Sequence, residues 1–116
     1  MKLKYERYNN SENIITIDLH NDYTIIALSA YNPVSKSYVV SLFLKENSVD
    51  TWKLMEECEN VEFFANRNTI GSAILKYVST LSSEGLIHKY INRYKYELKC
   101  FDKGNEFFEQ ERLGAA

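Results

Sequence analysis

Three residues with side chains suited to acid–base or metal chemistry, Asp18, His20 and Asp22, lie close together along the chain. A histidine oriented by a carboxylate can act as a general base or bind a metal ion, and residues 18 and 20 of a strand share one face. A metal site needs further ligands, and His88 is the only other histidine of the chain. Because Asp and Asn side chains hydrogen-bond their own backbone in tight turns, we expect a turn here, without catalytic or metal-binding function.

The two cysteines of the chain, Cys58 and Cys100, could form a disulfide bond or a redox pair. They lack the CxxC spacing of redox motifs, and small secreted domains usually contain more cysteine. We expect instead two half-buried thiols in a reducing cytosol. No GxSxG, HExxH or glycine-rich phosphate-binding motif occurs in the chain. The sequence therefore favours a non-enzymatic protein that binds no cofactor and no metal ion.

Basic and hydrogen-bonding residues recur along one side of the C-terminal region. We refer to Lys89, Asn92, Arg93, Tyr96, Lys99 and Lys103 as the basic strip. At about 100° per residue, these positions fall within a helical sector of roughly 120°. Such a strip could bind a phosphate backbone or an acidic protein surface. The alternative is a solvated helix face, with charges neutralised by pairs such as Arg93–Glu97 at helical spacing.

An acidic patch, Glu56, Glu57 and Glu59, follows the middle of the chain and is continued by Glu62. It could recognise a basic partner or mimic the phosphates of a nucleic acid. The alternative is the solvated end of a short helix. No pair of carboxylates suited to general acid–base catalysis can be distinguished within it.

The element that positions the basic strip is a long amphipathic helix. Its apolar stripe advances in steps of four and three residues through Ile87, Ile91, Tyr94, Leu98 and Phe101, and then reaches Phe108. This spacing predicts one long or once-broken helix over residues 84–112. A helix of this length exceeds the diameter of a compact domain of this size, so its end would project with Phe107 and Phe108. We expect that end to pair with a second copy of the helix or with another protein.

The first part of the chain, residues 1–47, predicts an antiparallel β-meander. Alternating and β-branched residues over 14–19, 23–31 and 37–44 are separated by turn residues, and a first strand over 2–8 is less distinct. Short connections of this kind join antiparallel neighbours, with one face of the sheet covered.

The second part, residues 48–116, is expected to be mainly helical. A short helix over 49–58 would turn Trp52 and Met55 inward, and residues 61–65 form either a fifth strand or a buried connector. We expect Thr69 to cap a helix over 70–83, which ends in the Ser–Ser–Glu–Gly stretch 82–85. The prediction is one α+β domain of three to five strands, with helices packed on one face.

Composition narrows the classes of function. A net charge of −2 gives no overall preference for nucleic acid or anionic membranes. From the charged first residues and the lack of a long apolar run, we expect no signal peptide and no membrane span. We therefore expect a cytoplasmic protein-interaction module, with a small nucleic-acid-binding protein as the alternative. Lys outnumbers Arg by ten to four, which is typical of AT-rich genomes. The chain is similar in size and composition to accessory proteins of phages and mobile elements, some of which inhibit host defence nucleases.

Overall fold

One antiparallel sheet carries the β-strands of the described residues. The structure, a computed structural model, describes residues 2–7 and 12–96. The strands are β1 (Lys2–Arg7), β2 (Glu12–Asp18), β3 (Tyr23–Asn32), β4 (Ser37–Glu46), β5 (Trp52–Leu54) and β6 (Val61–Phe63). The order across the sheet is β1-β2-β3-β4-β5, and β6 also pairs with β4. The predicted meander is confirmed, because β1, β2, β3 and β4 pair antiparallel in chain order.

The far edge of the sheet is an interrupted strand. β5 pairs with residues 43–45 of β4 and β6 pairs with residues 38–40, so both extend along the same neighbour. Between them a 3₁₀ turn, Glu56–Cys58, leaves the sheet. The predicted helix over 49–58 is therefore wrong. Pairing with β4 competes with a helix too short to be stable alone, and the Met55 amide continues that pairing by donating to the Leu42 carbonyl at 2.9 Å.

Two helices follow the sheet. The first, α1 (Ile70–Ser83), has the predicted bounds. Thr69 stands at the N-cap position, but the predicted cap is wrong, because its side chain makes no capping hydrogen bond and its hydroxyl donates to the Asn66 side chain at 3.1 Å instead. The second, α2, is helical over the described residues 86–96. Between them Gly85 adopts φ +75°, a left-handed conformation that residues with a Cβ rarely adopt. The predicted break after α1 is confirmed.

The hydrophobic core lies between the two helices and one face of the sheet, which we call the covered face. Its fully buried sheet residues are Ile15, Ile17, Ile25, Ala27, Val40 and Leu42, and Leu44 is almost fully buried. Against them pack Ile70, Ile74, Val78 and Leu81 of α1 and Ile87, Tyr90, Ile91 and Tyr94 of α2. The predicted α+β class, with helices on one face, is confirmed. The predicted stripe of α2 is buried as far as Tyr94.

The remainder of the predicted long helix falls on residues 97–112, outside the described part of the chain. Leu98, Lys99, Phe101, Lys103, Phe107 and Phe108 belong to it. Its continuation past residue 96, its projecting end and pairing through that end stay predictions.

Candidate functional site

The Asp18–Asp22 segment is a tight turn between β2 and β3. The Asp18 carboxylate accepts a hydrogen bond from the His20 amide at 2.8 Å, and the Asn21 side chain accepts one from the Tyr23 amide at 3.3 Å. His20 and Asp22 have positive φ values of 59° and 70°. The predicted turn is confirmed, because these polar side chains satisfy the backbone of the reversal between two strands.

The acidic patch and the basic strip meet each other in the folded chain. The 3₁₀ turn carries Glu56 and Glu57 to the polar side of α2. There Lys89 Nζ lies 3.7 Å from the Glu57 carboxylate, and Arg93 Nη2 lies 3.4 Å from that of Glu56. Both pairs are largely exposed to solvent. Among the described residues, the charges of the acidic patch and the basic strip therefore partly neutralise one another. The sequence did not indicate this, because the paired residues are more than thirty positions apart.

Two tyrosines of α2 form hydrogen bonds with the backbone at the sheet edge, beside those ion pairs. The Tyr90 hydroxyl accepts a hydrogen bond from the Glu57 amide at 3.0 Å, and the Tyr94 hydroxyl donates one to the Thr51 carbonyl at 3.3 Å. Burial raises the pKa of both phenols above their ordinary value. The phenols thus stay neutral at ordinary pH, and this region has the organisation of a structural contact between helix and sheet.

Cys58 is a buried thiol within the same contact. Its side chain is fully buried, and the Tyr77 hydroxyl of α1 donates to Cys58 Sγ at 3.8 Å. Burial raises the pKa of the Cys58 thiol, and burial with this hydrogen bond raises the pKa of Tyr77 to about 12. A protonated, inaccessible thiol is a poor nucleophile. Cys100, its suggested disulfide partner, lies outside the described residues.

The most distinctive surface lies on the other side of the sheet, where the helices do not pack. We call it the open face. It consists of alternate residues of four neighbouring strands, namely Ile14, Thr16, Ile26, Leu28, Ala30, Val39, Ser41, Phe43, Trp52 and Leu54. Ile26 is buried among its neighbours, but most of the other apolar side chains are partly exposed. A continuous apolar stripe across four strands is unusual for a solvent-facing surface.

Trp52 stands at the rim of this face. Its side chain is 42% exposed, and its ring lies 6.0 Å from that of Phe43 at an interplanar angle of 56°. Beside it is a groove of about 410 Å³, lined by Ile14, Leu28, Ala30, Val39, Ser41, Trp52 and Asn60, with parts of Asn13 and Ser29. The Asn60 amide donates to Ser41 Oγ at 3.0 Å and closes the groove at the interrupted edge.

At its β4 edge, the two ends of the open face carry opposite charges. Asp18 lies in the same cross-strand row as Lys45, on β2, where its carboxylate accepts a hydrogen bond from the His20 amide. Lys45 follows Phe43 on one side, where its Nζ donates to the carbonyls of Glu46 and Asn47. At the other end Glu62 of β6 lies beside Val39, and its carboxylate accepts a hydrogen bond from Ser37 Oγ at 2.8 Å. An apolar centre with charged ends is the composition of a protein-binding surface.

The sequence prediction missed this surface because it assigned Trp52 to a buried helix. The consecutive apolar residues 25–28 were the available signal. A strand covered on one face alternates apolar and polar residues, whereas Ile25–Ile26–Ala27–Leu28 is apolar on both faces.

The other candidate residues occupy the solvent-exposed side of α2 or the 3₁₀ turn region. Asn92, Tyr96 and Glu59 are exposed, and Tyr96 retains 70% of its accessible surface.

Over residues 2–7 and 12–96, no three His, Cys, Asp or Glu side chains are grouped as metal ligands would be. Neither helix in the described part of the chain is long and apolar enough to cross a bilayer. Searches against protein-family models, curated proteins and solved structures find no match to this chain.

Proposed function

We propose that this chain is a non-enzymatic protein-binding module and that the open face is its contact surface. The observation that carries the proposal is the partly exposed apolar stripe from Ile14 on β2 to Trp52 on β5. Leaving such a stripe in water forgoes roughly 25 cal/mol for each Å² that a partner could bury. The partner required by this chemistry is a second apolar protein surface with hydrogen-bonding groups at its rim.

The charges of the described residues support this proposal over nucleic-acid binding. Lys89 and Arg93 lie against carboxylates of the acidic patch, so a phosphate would have to compete with Glu57 and Glu56 for them. Binding of nucleic acid depends on clustered, available cations. We therefore expect no measurable affinity for a short DNA or RNA duplex at physiological salt in fluorescence polarisation.

Composition supports a narrower form of the same proposal. We propose a cytoplasmic location and an accessory role in a phage or mobile element, with binding to a host defence nuclease as one form of that role. The support is the Lys-rich, Asn-rich composition and the buried, unlinked Cys58.

Photo-cross-linking tests the contact surface directly. The reactive aromatic residue p-benzoylphenylalanine is placed at Phe43 on the open face and, as a matched control, at Tyr96 on α2. We expect the first position to form a covalent adduct with a defined protein in the cells that make this chain. The second position should form little or none. Absence of any protein adduct at position 43, with the protein folded, would contradict the proposed surface.

A further inference from the structure

The open face is divided into a bulky half and a hollow half. Along β3 and β4 its cross-strand pairs are, in order, Thr24–Lys45, Ile26–Phe43, Leu28–Ser41, Ala30–Val39 and Asn32–Ser37. The Leu28–Ser41 pair stands at the middle. The larger pair Ile26–Phe43 lies on one side of it and the smaller pair Ala30–Val39 on the other. The groove is lined by the middle pair and extends over Ala30–Val39, but it does not include Ile26 or Phe43. A half-turn about this middle pair therefore exchanges the larger pair with the smaller pair beside the groove.

We infer that a second copy of this chain occupies the open face, in a two-fold symmetric, face-to-face packing of the two sheets. The inference rests on the proposed function and names its partner. The two-fold axis lies in the plane between the two sheets. It is perpendicular to the strands and passes over the Leu28–Ser41 pair. It places Phe43 of each copy over Val39 of the other, and the sheets pack about 10 Å apart, with interdigitating side chains. A two-fold interface must be self-complementary, and this face has that property.

The charges at the β4 edge of the face have the same symmetry as its side-chain sizes. The axis brings Lys45 of one copy over the Ser37 end of β4 in the other copy. There the Glu62 carboxylate is held by the Ser37 hydroxyl at 2.8 Å. Each dimer would thus contain two equivalent Lys45–Glu62 pairs, one at each end. Opposite charges at these positions favour this orientation over one in which like charges meet.

The size of the face fits a reversible dimer. A patch four strands wide and five cross-strand pairs long measures about 19 by 26 Å from standard strand spacings. Two copies would bury roughly 1,000 Å², which is the lower limit for a specific protein interface. Interfaces of this size are typical of weak or transient complexes, and we expect association in the micromolar range.

Sedimentation equilibrium of the full chain tests the dimer. Leu28→Lys places two like charges at the symmetry axis, and it should weaken association by on the order of a hundredfold. Lys45→Glu alone and Glu62→Lys alone should each weaken it about tenfold. The double variant Lys45→Glu with Glu62→Lys should restore the affinity, because the two charges are exchanged within every pair.

Two further variants keep the test decisive. Ala30→Lys fills the hollow half from an exposed position, so it should block the dimer even if Leu28→Lys fails to fold. The variant Phe107→Lys with Phe108→Lys should leave the dimer intact. Loss of the dimer in this last variant, with retention in Ala30→Lys, would place the interface in the C-terminal segment and overturn the inference.

A monomer at several hundred micromolar would also overturn it. If that monomer still forms a position-43 adduct with a different protein, the proposed function stands and only the identity of the partner is wrong. If position 43 forms no adduct and the chain is monomeric, both proposals fail. Self-adducts at position 43 that disappear in Ala30→Lys support both.

Discussion

The two faces of the sheet are built from the same strands but meet different surroundings. Residues such as Leu42 and Val40 are completely buried beneath α1 and α2, whereas Leu28 and Phe43 on the open face remain partly exposed. Apolar composition alone therefore does not distinguish a core from a binding surface. The exposure of each face depends on what packs against it. Among the described residues, α1 and α2 pack against the covered face only.

The difference between the faces predicts unequal costs for one substitution. Leu42→Ala leaves a cavity in the core and should lower the free energy of unfolding by about 2–5 kcal/mol. Leu28→Ala, at a protein concentration too low for association, should cost about 1 kcal/mol or less. Urea denaturation measures both values. Equal losses would show that the open face is also covered within one chain.

The stability of the covered face should depend on alkaline pH through the Tyr77 phenol. Tyr77 has a pKa of about 12 in the folded protein, against an ordinary value of 10.0. Between these values the unfolded chain releases the phenol proton while the folded chain retains it. The stability associated with Tyr77 is therefore complete below pH 10 and is lost as the pH rises towards about 12.

Tyr77→Phe removes that titration. Between pH 10 and 12 the free energy of unfolding of this variant should fall less steeply than that of the parent chain, with Tyr31→Phe as a control at an exposed tyrosine. Parallel pH profiles for all three proteins, measured by urea denaturation, would contradict the buried position of the Tyr77 hydroxyl.

Of the contacts considered, the ion pairs at the edge of the sheet should contribute least to the free energy of unfolding. Lys89→Ala and Arg93→Ala each remove one exposed pair with the acidic patch, and we expect losses of about 0–1 kcal/mol in unfolding free energy. Tyr90→Phe should cost more than Lys89→Ala, because it leaves the Glu57 amide without its hydrogen-bond acceptor. Thermal melts at low and high salt separate the two effects, since salt should affect only the lysine contribution. If Lys89→Ala lowers the free energy of unfolding more than Tyr90→Phe does, the ion pair and not the tyrosine hydrogen bond stabilises this contact between α2 and the sheet edge.

Local signals account for the parts of the fold that could be predicted. The bounds of α1 follow from signals that act within a few residues. Before it, the Asn66 side chain accepts hydrogen bonds from the Asn68 and Thr69 amides, and after it Gly85 adopts a left-handed conformation. The strands of the meander follow from alternation and tight turns in the same way.

The rest depends on contacts between distant residues. Trp52 and Met55 have a spacing that also suits a helix, and only pairing with β4 makes Trp52 part of a strand. The approach of Arg93 to Glu56 likewise depends on where α2 crosses the sheet edge. The candidate surface was missed for this reason, although its apolar residues are visible in the sequence.

Acrylamide quenching of Trp52 fluorescence tests the binding role of the open face most directly. Trp52 is the sole tryptophan of the chain, and it lines the groove with 42% of its surface exposed. We expect efficient quenching in dilute protein and a severalfold smaller quenching constant as the concentration rises through the dimer range. Ala30→Lys should remain quenched throughout. Quenching that does not change with concentration, in a protein that sedimentation shows to be dimeric, would contradict the account.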